Sequence, residues 1–293
     1  MTIRPASDHE LEAYVAVWNA ITPDDPTSVA EQRSRRERDA RRLYLLAEGD
    51  GRILGCGFSG PSDSPGRGFV EPRVLEPGRR RGVGSLLLGE LVAHASRLGF
   101  STVSSHVDGD DAGSLAFASR RGFQEVDRQV EQVKVVGAEP PGQAFDDVVF
   151  VTIAERPELL RETHDLAVEG YADMAVATPV TISLEDWLAE EATVPAGSLV
   201  ALAGEKIVGY TGLCRRADGS YEDGLTVVRR DWRRRGLAKA LKRAKLAWAA
   251  ANDVPEIVTW TQTGNEGMRA LNERLGYRYR SVIVSVRAPL PLR

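Results

Sequence analysis

Two short turns hold the residues in this sequence that are best suited to chemistry. Each has three consecutive arginines followed by Gly-x-Gly or Gly-x-Ala, at residues 79–84 and 233–238. An apolar strand-like run precedes each turn and an amphipathic pattern follows it, so each turn opens a helix. The first N–H groups of a helix are unpaired and carry partial positive charge, glycine leaves them accessible to phosphate, and arginine adds donors. The pattern predicts a pyrophosphate site in each half of the chain.

The class of nucleotide is narrowed by two motifs that the sequence lacks. There is no Gly-x-x-x-x-Gly-Lys-Ser/Thr segment, which argues against a P-loop. Neither turn has the third glycine of a dinucleotide-binding fingerprint.

The two turns belong to a long internal repeat. The same separation of 154 residues relates three pairs of counterparts: Arg79 and Arg233, Gly82 and Gly236, Gly122 and Gly276. A period of this size indicates a domain duplication, because solenoid units are about 20–50 residues long. We expect domains at 1–137 and 148–293, with a linker at about 138–147 that contains Pro140 and Pro141. The alternative is an ordinary surface loop inside one domain.

Both halves have the periodicities of a mixed α/β unit. Helices are predicted at 83–98 and 237–251, directly after the turns. Short strand-like runs precede the turns, another strand follows each helix, and each half ends in a strand-like tail, at 124–136 and 278–286.

Composition excludes several classes of protein. The chain has 293 residues, enough for two domains, and a net charge of −4, which is the wrong sign for a protein held to nucleic acid by its overall field. Its two distant cysteines and four scattered histidines predict neither a disulfide framework nor a metal site. The first ten residues contain no apolar signal peptide core, and no run anywhere approaches the length of a membrane span, so we expect a cytoplasmic protein without a membrane partner.

The turns and the segments that follow them resemble the GNAT superfamily of N-acetyltransferases. The coenzyme A signature of that family is Gln/Arg-x-x-Gly-x-Gly/Ala after a strand that ends in an apolar residue. It is matched by Val74 with Arg79–Gly84 and by Val228 with Arg233–Ala238. Residues 265–277 resemble the family's Asn-x-x-Ala-x-x-Leu-Tyr-x-x-x-Gly-Phe segment.

The resemblance covers most of both halves, in a layout shared by tandem members such as mycothiol synthases. It implies the fold class α/β (α+β mixed), with two tandem GNAT-like domains. Each would be a mostly antiparallel mixed sheet flanked by helices.

Acetyl-CoA is the cofactor that the resemblance implies. In the second half it assigns the pantetheine arm and the pyrophosphate to a continuous stretch: Thr226, Val227, Val228, Arg233, Arg234, Arg235, Gly236, Leu237, Ala238 and Lys239. In the first half the matching residues are Val74, Arg79, Arg80, Arg81, Gly82, Val83, Gly84 and Ser85. Asn265 matches the family position that contacts the coenzyme arm, and Asn272 is also assigned to the coenzyme site. In the first half, Asp111 stands at the position of Asn265. Because a carboxylate is less favourable beside phosphate, we expect the second half to be the better site.

Two acidic residues are candidates for the general base. The family base stands ten residues ahead of the signature, which here is Asp223, and Glu222 is its neighbour. The alternation of a strand directs one of the two into the cleft. The alternative is a solvated turn after residues 217–220. Phe69 occupies the equivalent position in the first half, so we expect the chemistry in the second half.

The residues at the family's general-acid position depart from the family pattern. Asn272 in the second half and Ala118 in the first stand at the position of the family's tyrosine, and asparagine cannot protonate a thiolate. The alternatives are Tyr277, Tyr279, water, or an unassisted departure of the thiolate, whose ordinary pKa is about 8.5.

The sequence therefore predicts an acyltransferase. It would move an acetyl group from acetyl-CoA to a primary amine of a small molecule or peptide, with the chemistry in the second domain. The alternative function is a non-catalytic acetyl-CoA-binding protein with a regulatory or interaction role.

Overall fold

The fold is described from a computed structural model that covers residues 1–23, 26–62, 66–140, 145, 147–174, 182–216 and 219–292. The chain divides into two compact units. The first contains residues 1–126 and 284–293, and the second contains residues 127–283. Part of the predicted linker, at 141–144 and 146, and residues 217 and 218 of the alternative solvated turn lie outside the described residues.

The first unit is a sheet with helices. Its strands are β1 (Thr2–Pro5), β2 (Leu43–Gly49), β3 (Arg52–Pro61), β4 (Gly68–Val74) and β5 (Thr102–Asp108). Its helices are α1 (Leu11–Ile21), α2 (Val29–Arg38), α3 (Val83–Arg97) and α4 (Ala112–Arg120). The strands lie in chain order and pair antiparallel, except for the parallel pair β4 and β5.

The second unit repeats this plan. Its strands are β6 (Gln124–Val135), β7 (Val149–Thr152), β8 (Leu199–Ala203), β9 (Lys206–Arg215), β10 (Tyr221–Val228), β11 (Glu256–Gln262) and the first part of β12 (Arg278–Pro289). Its helices are α5 (Glu158–Glu162), α6 (His164–Ala172), α7 (Leu184–Glu190), α8 (Leu237–Ala251) and α9 (Glu266–Arg274). Only β10 and β11 pair in parallel among the strand pairs described in this unit. The mixed, mostly antiparallel α/β fold is therefore confirmed, as are the two helices after the turns.

The tail strands depart from the predicted domain ranges. β6 ends the first repeat but pairs antiparallel with β11 of the second, from Glu256 opposite Val135 to Gln262 opposite Gln129. The end of the chain belongs to the first unit, where the Leu290 amide donates to the Ser101 carbonyl at 2.8 Å. Because β5 and β11 are repeat counterparts, the edge available for pairing with a tail strand is similar in the two units. The compact units thus differ from the repeats by an exchange of tail strands.

The described helices include none with the length and apolar character needed to cross a membrane.

Candidate functional site

The two arginine turns have the same backbone geometry. Each contains an arginine with positive φ, 59° at Arg80 and 65° at Arg234, and then a glycine with positive φ, 85° at Gly82 and 89° at Gly236. α3 and α8 begin at the next residue. A Cβ placed on either glycine would meet nothing within 4 Å, so open space faces the first amides of both helices. This space and the partial positive charge fit a phosphate group.

The first arginine of each turn braces the backbone. Nε of Arg233 donates to the carbonyl of Val228 at 2.8 Å, and Nε of Arg79 approaches that of Val74 at 3.5 Å. Arg233 also pairs with Asp173 at 2.7 Å. These arginines therefore shape the turn.

The other residues predicted to bind the pyrophosphate lie either around the open space or in the core. The side chains of Arg80, Arg81, Arg234 and Arg235 are exposed around the open space, whereas Val83 and Leu237 are buried in the core. Arg81 pairs with Asp50 at 2.7 Å, and Arg235 donates to the carbonyl of Asp231 at 2.9 Å.

A wedge opens between the two parallel strands of the second unit. β10 pairs with β11 only at Tyr221 with Ile257 and at Glu222 with Val258. Beyond these pairs β10 stays paired with β9 as far as Val228, while β11 stays paired with β6. The β11-facing edge of β10 at 226–228 is where the pantetheine arm is expected. In the first unit, β4 and β5 likewise pair at two positions only.

The residue at the start of the next helix differs between the units. Asn265 precedes α9, and its side chain makes no capping hydrogen bond. Asp111 caps α4 by accepting from the Ser114 amide at 2.9 Å, and it lies 3.4 Å from Arg79. Asp111 is thus used as a helix cap and a partner for a turn arginine.

A β-bulge interrupts β10 in the second unit. The register of β10 with β9 shifts between Asp223 and Thr226, so Gly224 and Leu225 lie opposite the single residue Gly212. In the first unit, β4 pairs with β3 without such a shift over the whole of Gly68–Val74. A bulge takes backbone groups out of the ladder and redirects side chains. The second unit therefore has a bulged strand beside the opening between its parallel strands, whereas the corresponding strand of the first unit, β4, is regular.

Asp223 lies beneath α8 and does not face the cleft. Its carboxylate forms ion pairs of 2.6 Å with both Lys242 and Lys245 and accepts from the Tyr277 hydroxyl at 2.9 Å. Burial alone would raise the pKa of Asp223, but the two ammonium groups outweigh it and lower this pKa to about 2. A fully buried carboxylate with so low a pKa is a poor proton acceptor. The geometry therefore gives Asp223 a structural role in place of the expected catalytic one.

Glu222 points to the opposite face of the sheet, as strand alternation requires. Its side chain is about one third exposed and lies 3.5 Å from Arg216. One of the two acids was expected in the cleft, and Glu222 is the one that lies on the face that carries α6 and α7.

A second carboxylate lies against the bulge, that of Glu191, which the sequence analysis missed. Glu191 follows the last residue of α7. It accepts from the Tyr210 hydroxyl at 2.9 Å and from the Leu225 amide at 3.4 Å. A Cβ on Gly212 or on Gly224 would overlap this carboxylate, so both glycines leave room for it. Glycines inside strands mark close approaches of this kind, and they were the available signal.

Burial raises the pKa of Glu191, although its hydrogen bonds and the Lys245 ammonium oppose the rise. Two further groups on this face respond to the Glu191 carboxylate. Burial and the nearby Glu191 raise the pKa of Tyr171 to about 12 and that of Cys214 to about 11. Glu191 is a partly exposed residue whose carboxyl has a raised pKa and lies beside a strand bulge, and these are properties of a general base.

Asn272 is fully buried at the position expected for the acid. Its Nδ2 donates to Gln132 at 3.1 Å, and its Oδ1 has no hydrogen-bond partner among the described residues. Tyr277 is also unsuitable as an acid, because its hydroxyl is buried and bound to Asp223. Tyr279 is 52% exposed on β12.

Comparison with known proteins identifies the family. The model of the acetyltransferase (GNAT) family matches residues 6–123 and 160–277. This chain belongs to the GNAT acetyltransferase family. The two matches are again separated by 154 residues, and the prediction of a tandem GNAT protein is confirmed. Members of the family use acetyl-CoA, so the predicted cofactor is confirmed too.

The GNAT chain is similar to proteins of the same tandem length. A mycothiol acetyltransferase of Clavibacter michiganensis subsp. michiganensis is 28% identical over 272 residues, which cover 85% of this chain and 81% of that protein. A GCN5-related N-acetyltransferase from Sphaerobacter thermophilus is 20% identical, with a TM-score of 0.77 and coverage of 98% and 95%. A tandem GNAT protein from the clavulanic acid biosynthesis pathway is also 20% identical, with a TM-score of 0.65 and 98% coverage of both chains. At this identity the solved structures show a shared fold.

Proposed function

We propose that this GNAT protein transfers the acetyl group of acetyl-CoA to a primary amine of a small molecule or peptide, and that the reaction takes place in its second unit. The observation that carries the proposal is the position of the Glu191 carboxylate. It lies against the bulge of β10, in the space left by the missing side chains of Gly212 and Gly224.

The second unit has the parts that would hold the cofactor. The amides at the start of α8, with Gly236 at their entrance, would bind the pyrophosphate, and the free edge of β10 at 226–228 would bind the pantetheine amides. Acetyl-CoA supplies the acetyl group as a thioester, which an amine can attack directly. Lys239 and Asn265 lie near the start of α8 and α9, and they are proposed as further contacts of the coenzyme.

Glu191 would act as the general base. An amine attacks only in its neutral form, so the site must take one proton from it. Partial burial holds the pKa of Glu191 above its ordinary value, which makes the carboxylate a better proton acceptor than an exposed glutamate. The hydrogen bond from Tyr210 orients the carboxylate. Glu222 lies on the same face, where Arg216 pairs with it and offsets its charge.

The first unit lacks this arrangement. Its turn is equally open, but β4 has no bulge, and Phe69 and Ala118 replace the polar residues at 223 and 272. Its nearest acid, Glu71, is paired with Arg73, whose guanidinium lies 5.1 Å from the Trp18 ring. These features favour the second unit for catalysis.

The test is acetyl transfer to a panel of primary amines, followed by the release of CoA thiol and the mass of the product. The matched variants Gly236→Leu and Gly82→Leu block the equivalent turn in each unit. The two variants are matched because both turns share the same backbone geometry. Because the reaction is proposed for the second unit, we expect Gly236→Leu to abolish turnover and Gly82→Leu to retain it. Binding of acetyl-CoA without acetylation of any amine would overturn the proposal. Loss of turnover in Gly82→Leu alone would move the reaction to the first unit.

A further inference from the structure

A buried group of three charges lies beneath the bulge, on the face of β10 opposite Glu191. The side chains of Lys242, Lys245 and Asp223 are exposed by 2%, 0% and 1%. Two ammonium groups therefore share one carboxylate in the interior. Buried charge without a partner is costly, so a second negative charge is expected close by.

Lys245 connects this group to the site on the other face. Its Nζ donates to Thr211 and to the carbonyl of Gly212, both at 3.0 Å. Gly212 is the residue opposite the bulge, and its open side is filled by the Glu191 carboxylate. The Lys245 ammonium in turn opposes the raised pKa of Glu191, so the two groups interact through the sheet at the position where it has no side chain.

The four charges balance only while Glu191 is ionised. Glu191 and Asp223 then offset Lys242 and Lys245. When Glu191 takes a proton, one positive charge remains uncompensated under the bulge. Burial lowers the pKa of Lys242 to about 8, an effect that Asp223 opposes and Lys245 reinforces. The lysine is therefore mostly protonated at neutral pH. Tyr277, the residue before β12, faces Lys242 with its ring 5.0 Å from Nζ and contributes only a neutral hydroxyl.

The excess positive charge can stabilise the departing thiolate, for which the rest of the site supplies no acid. The departing sulfur carries negative charge, yet the buried Asn272 cannot give it a proton and Tyr277 is bound to Asp223. If the pyrophosphate lies at the start of α8 and the pantetheine arm along 228 to 226, the thioester reaches the bulge, directly above the lysines.

We propose that the buried pair Lys242 and Lys245 stabilises the thiolate of CoA as it leaves, in place of an acid that would protonate it. This inference rests on the proposed function. The amine nitrogen bonds to the acyl carbon, and Glu191 takes the proton that the nitrogen loses. The electron pair of the broken C–S bond goes to sulfur, which leaves as the thiolate. Both lysines act without touching the substrate and are positioning residues.

The test is an ultraviolet titration of the thiol of CoA bound to the full chain, with no acceptor present. The protein carries Glu191→Gln, because the neutral amide stands for the protonated glutamate and leaves the buried group with its excess positive charge. We expect the bound thiol to titrate about one pKa unit below its free value of about 8.5. When Lys242→Met is added, most of this shift should disappear. Arg243→Met is the matched control, because Arg243 lies on the same helix, is partly exposed and is outside the buried group. When it is added to Glu191→Gln, the titration of the thiol should not change.

A second measurement needs only the Glu191→Gln protein. A one-unit shift means that CoA binds about threefold more tightly, relative to acetyl-CoA, at pH 8 than at pH 6. Calorimetry with both ligands measures this ratio even if Lys242→Met does not fold. A bound thiol that titrates at its free value, or a ratio independent of pH, would overturn the inference. Both readouts use product CoA, so a failure to acetylate any amine would count against the proposed function alone.

Discussion

Gly212 and Gly224 show how an absent side chain can define a site. Both lie inside strands, where glycine has no packing value, and both leave space that the Glu191 carboxylate fills. The sequence drew attention to Asp223 because it occupies the family position, but the bulge that follows it turns the strand, and Asp223 lies under α8. Glu191 is 21 residues before the nearer of these two glycines along the chain and joins them only through tertiary packing, so no local pattern indicated it.

Alanine at Gly224 should displace the general base. The new Cβ would overlap the Glu191 carboxylate, so we expect kcat to fall about 10²-fold or more, with KM for acetyl-CoA within about twofold. Steady-state kinetics with the best amine measures both. Gly89→Ala is the control, because nothing lies within 4 Å of its Cβ, and it should retain full activity. An active Gly224→Ala enzyme would remove Glu191 from the mechanism.

Asn at Asp223 should cost stability. It leaves two buried ammonium groups without their carboxylate, and breaking such a pair costs about 3–5 kcal/mol. Glu222→Gln changes a partly exposed neighbour and should cost less than about 1 kcal/mol. Urea unfolding at pH 7 compares the two variants. Equal losses would mean that Asp223 is not the centre of a buried network.

The stabilising effect of Asp223 should depend on pH. Its pKa in the folded chain, about 2, is below the ordinary value of 3.8. Its contribution is therefore complete above about pH 4 and is lost as the pH falls towards 2. The difference in unfolding free energy between the wild type and Asp223→Asn should shrink over this range. A difference that is constant from pH 5 to pH 2.5 would contradict the lowered pKa.

At the scale of elements, the turn before each long helix is the part that the sequence specifies best. Its requirements are local, since a glycine with φ near 90° and a helix directly after it leave a pattern of consecutive residues. This is why both turns and both helices were predicted from spacing alone. The wedge between β10 and β11 and the bulge depend on pairing between strands that are distant along the chain, so the sequence could not indicate them.

Alanine at Gly236 tests the turn as an anion site. Gly236 and Gly204 both have positive φ and no atom within 4 Å of a Cβ, so alanine should cost about 1–2 kcal/mol of stability at either position. Only at Gly236 does the new methyl group face the amides at the start of α8. We expect calorimetry to give acetyl-CoA binding at least about tenfold weaker in Gly236→Ala and unchanged in Gly204→Ala. Equal affinities would place the phosphate elsewhere.

At the scale of the whole molecule, the duplication is visible in the sequence but the exchange of tail strands is not. The constant separation of 154 residues located the two copies. The similarity of the copies also hid which unit each tail strand joins. β5 and β11 are repeat counterparts, so their edges are similar and either could pair with either tail. Each compact unit is therefore completed by a strand from the other repeat.

Removal of residues 284–293 should weaken the first unit. The loss of its final strand exposes the edge of β5, so the amides of 102–108 should exchange with solvent faster. Hydrogen exchange followed by mass spectrometry measures this, and the amides of β8 in the second unit are the internal control. Unchanged protection of β5 would show that the tail does not stabilise the first unit.

The central claim is that Glu191 takes the amine proton in the second unit. The most direct measurement is the pH dependence of kcat in the wild type and in Glu191→Gln, which keeps the size of the side chain. We expect a fall of about 10²–10⁴-fold in Glu191→Gln, loss of the acidic limb of the pH profile, and unchanged binding of acetyl-CoA. If Glu191→Gln keeps the wild-type kcat and pH profile, the base lies elsewhere and the account of the site is contradicted.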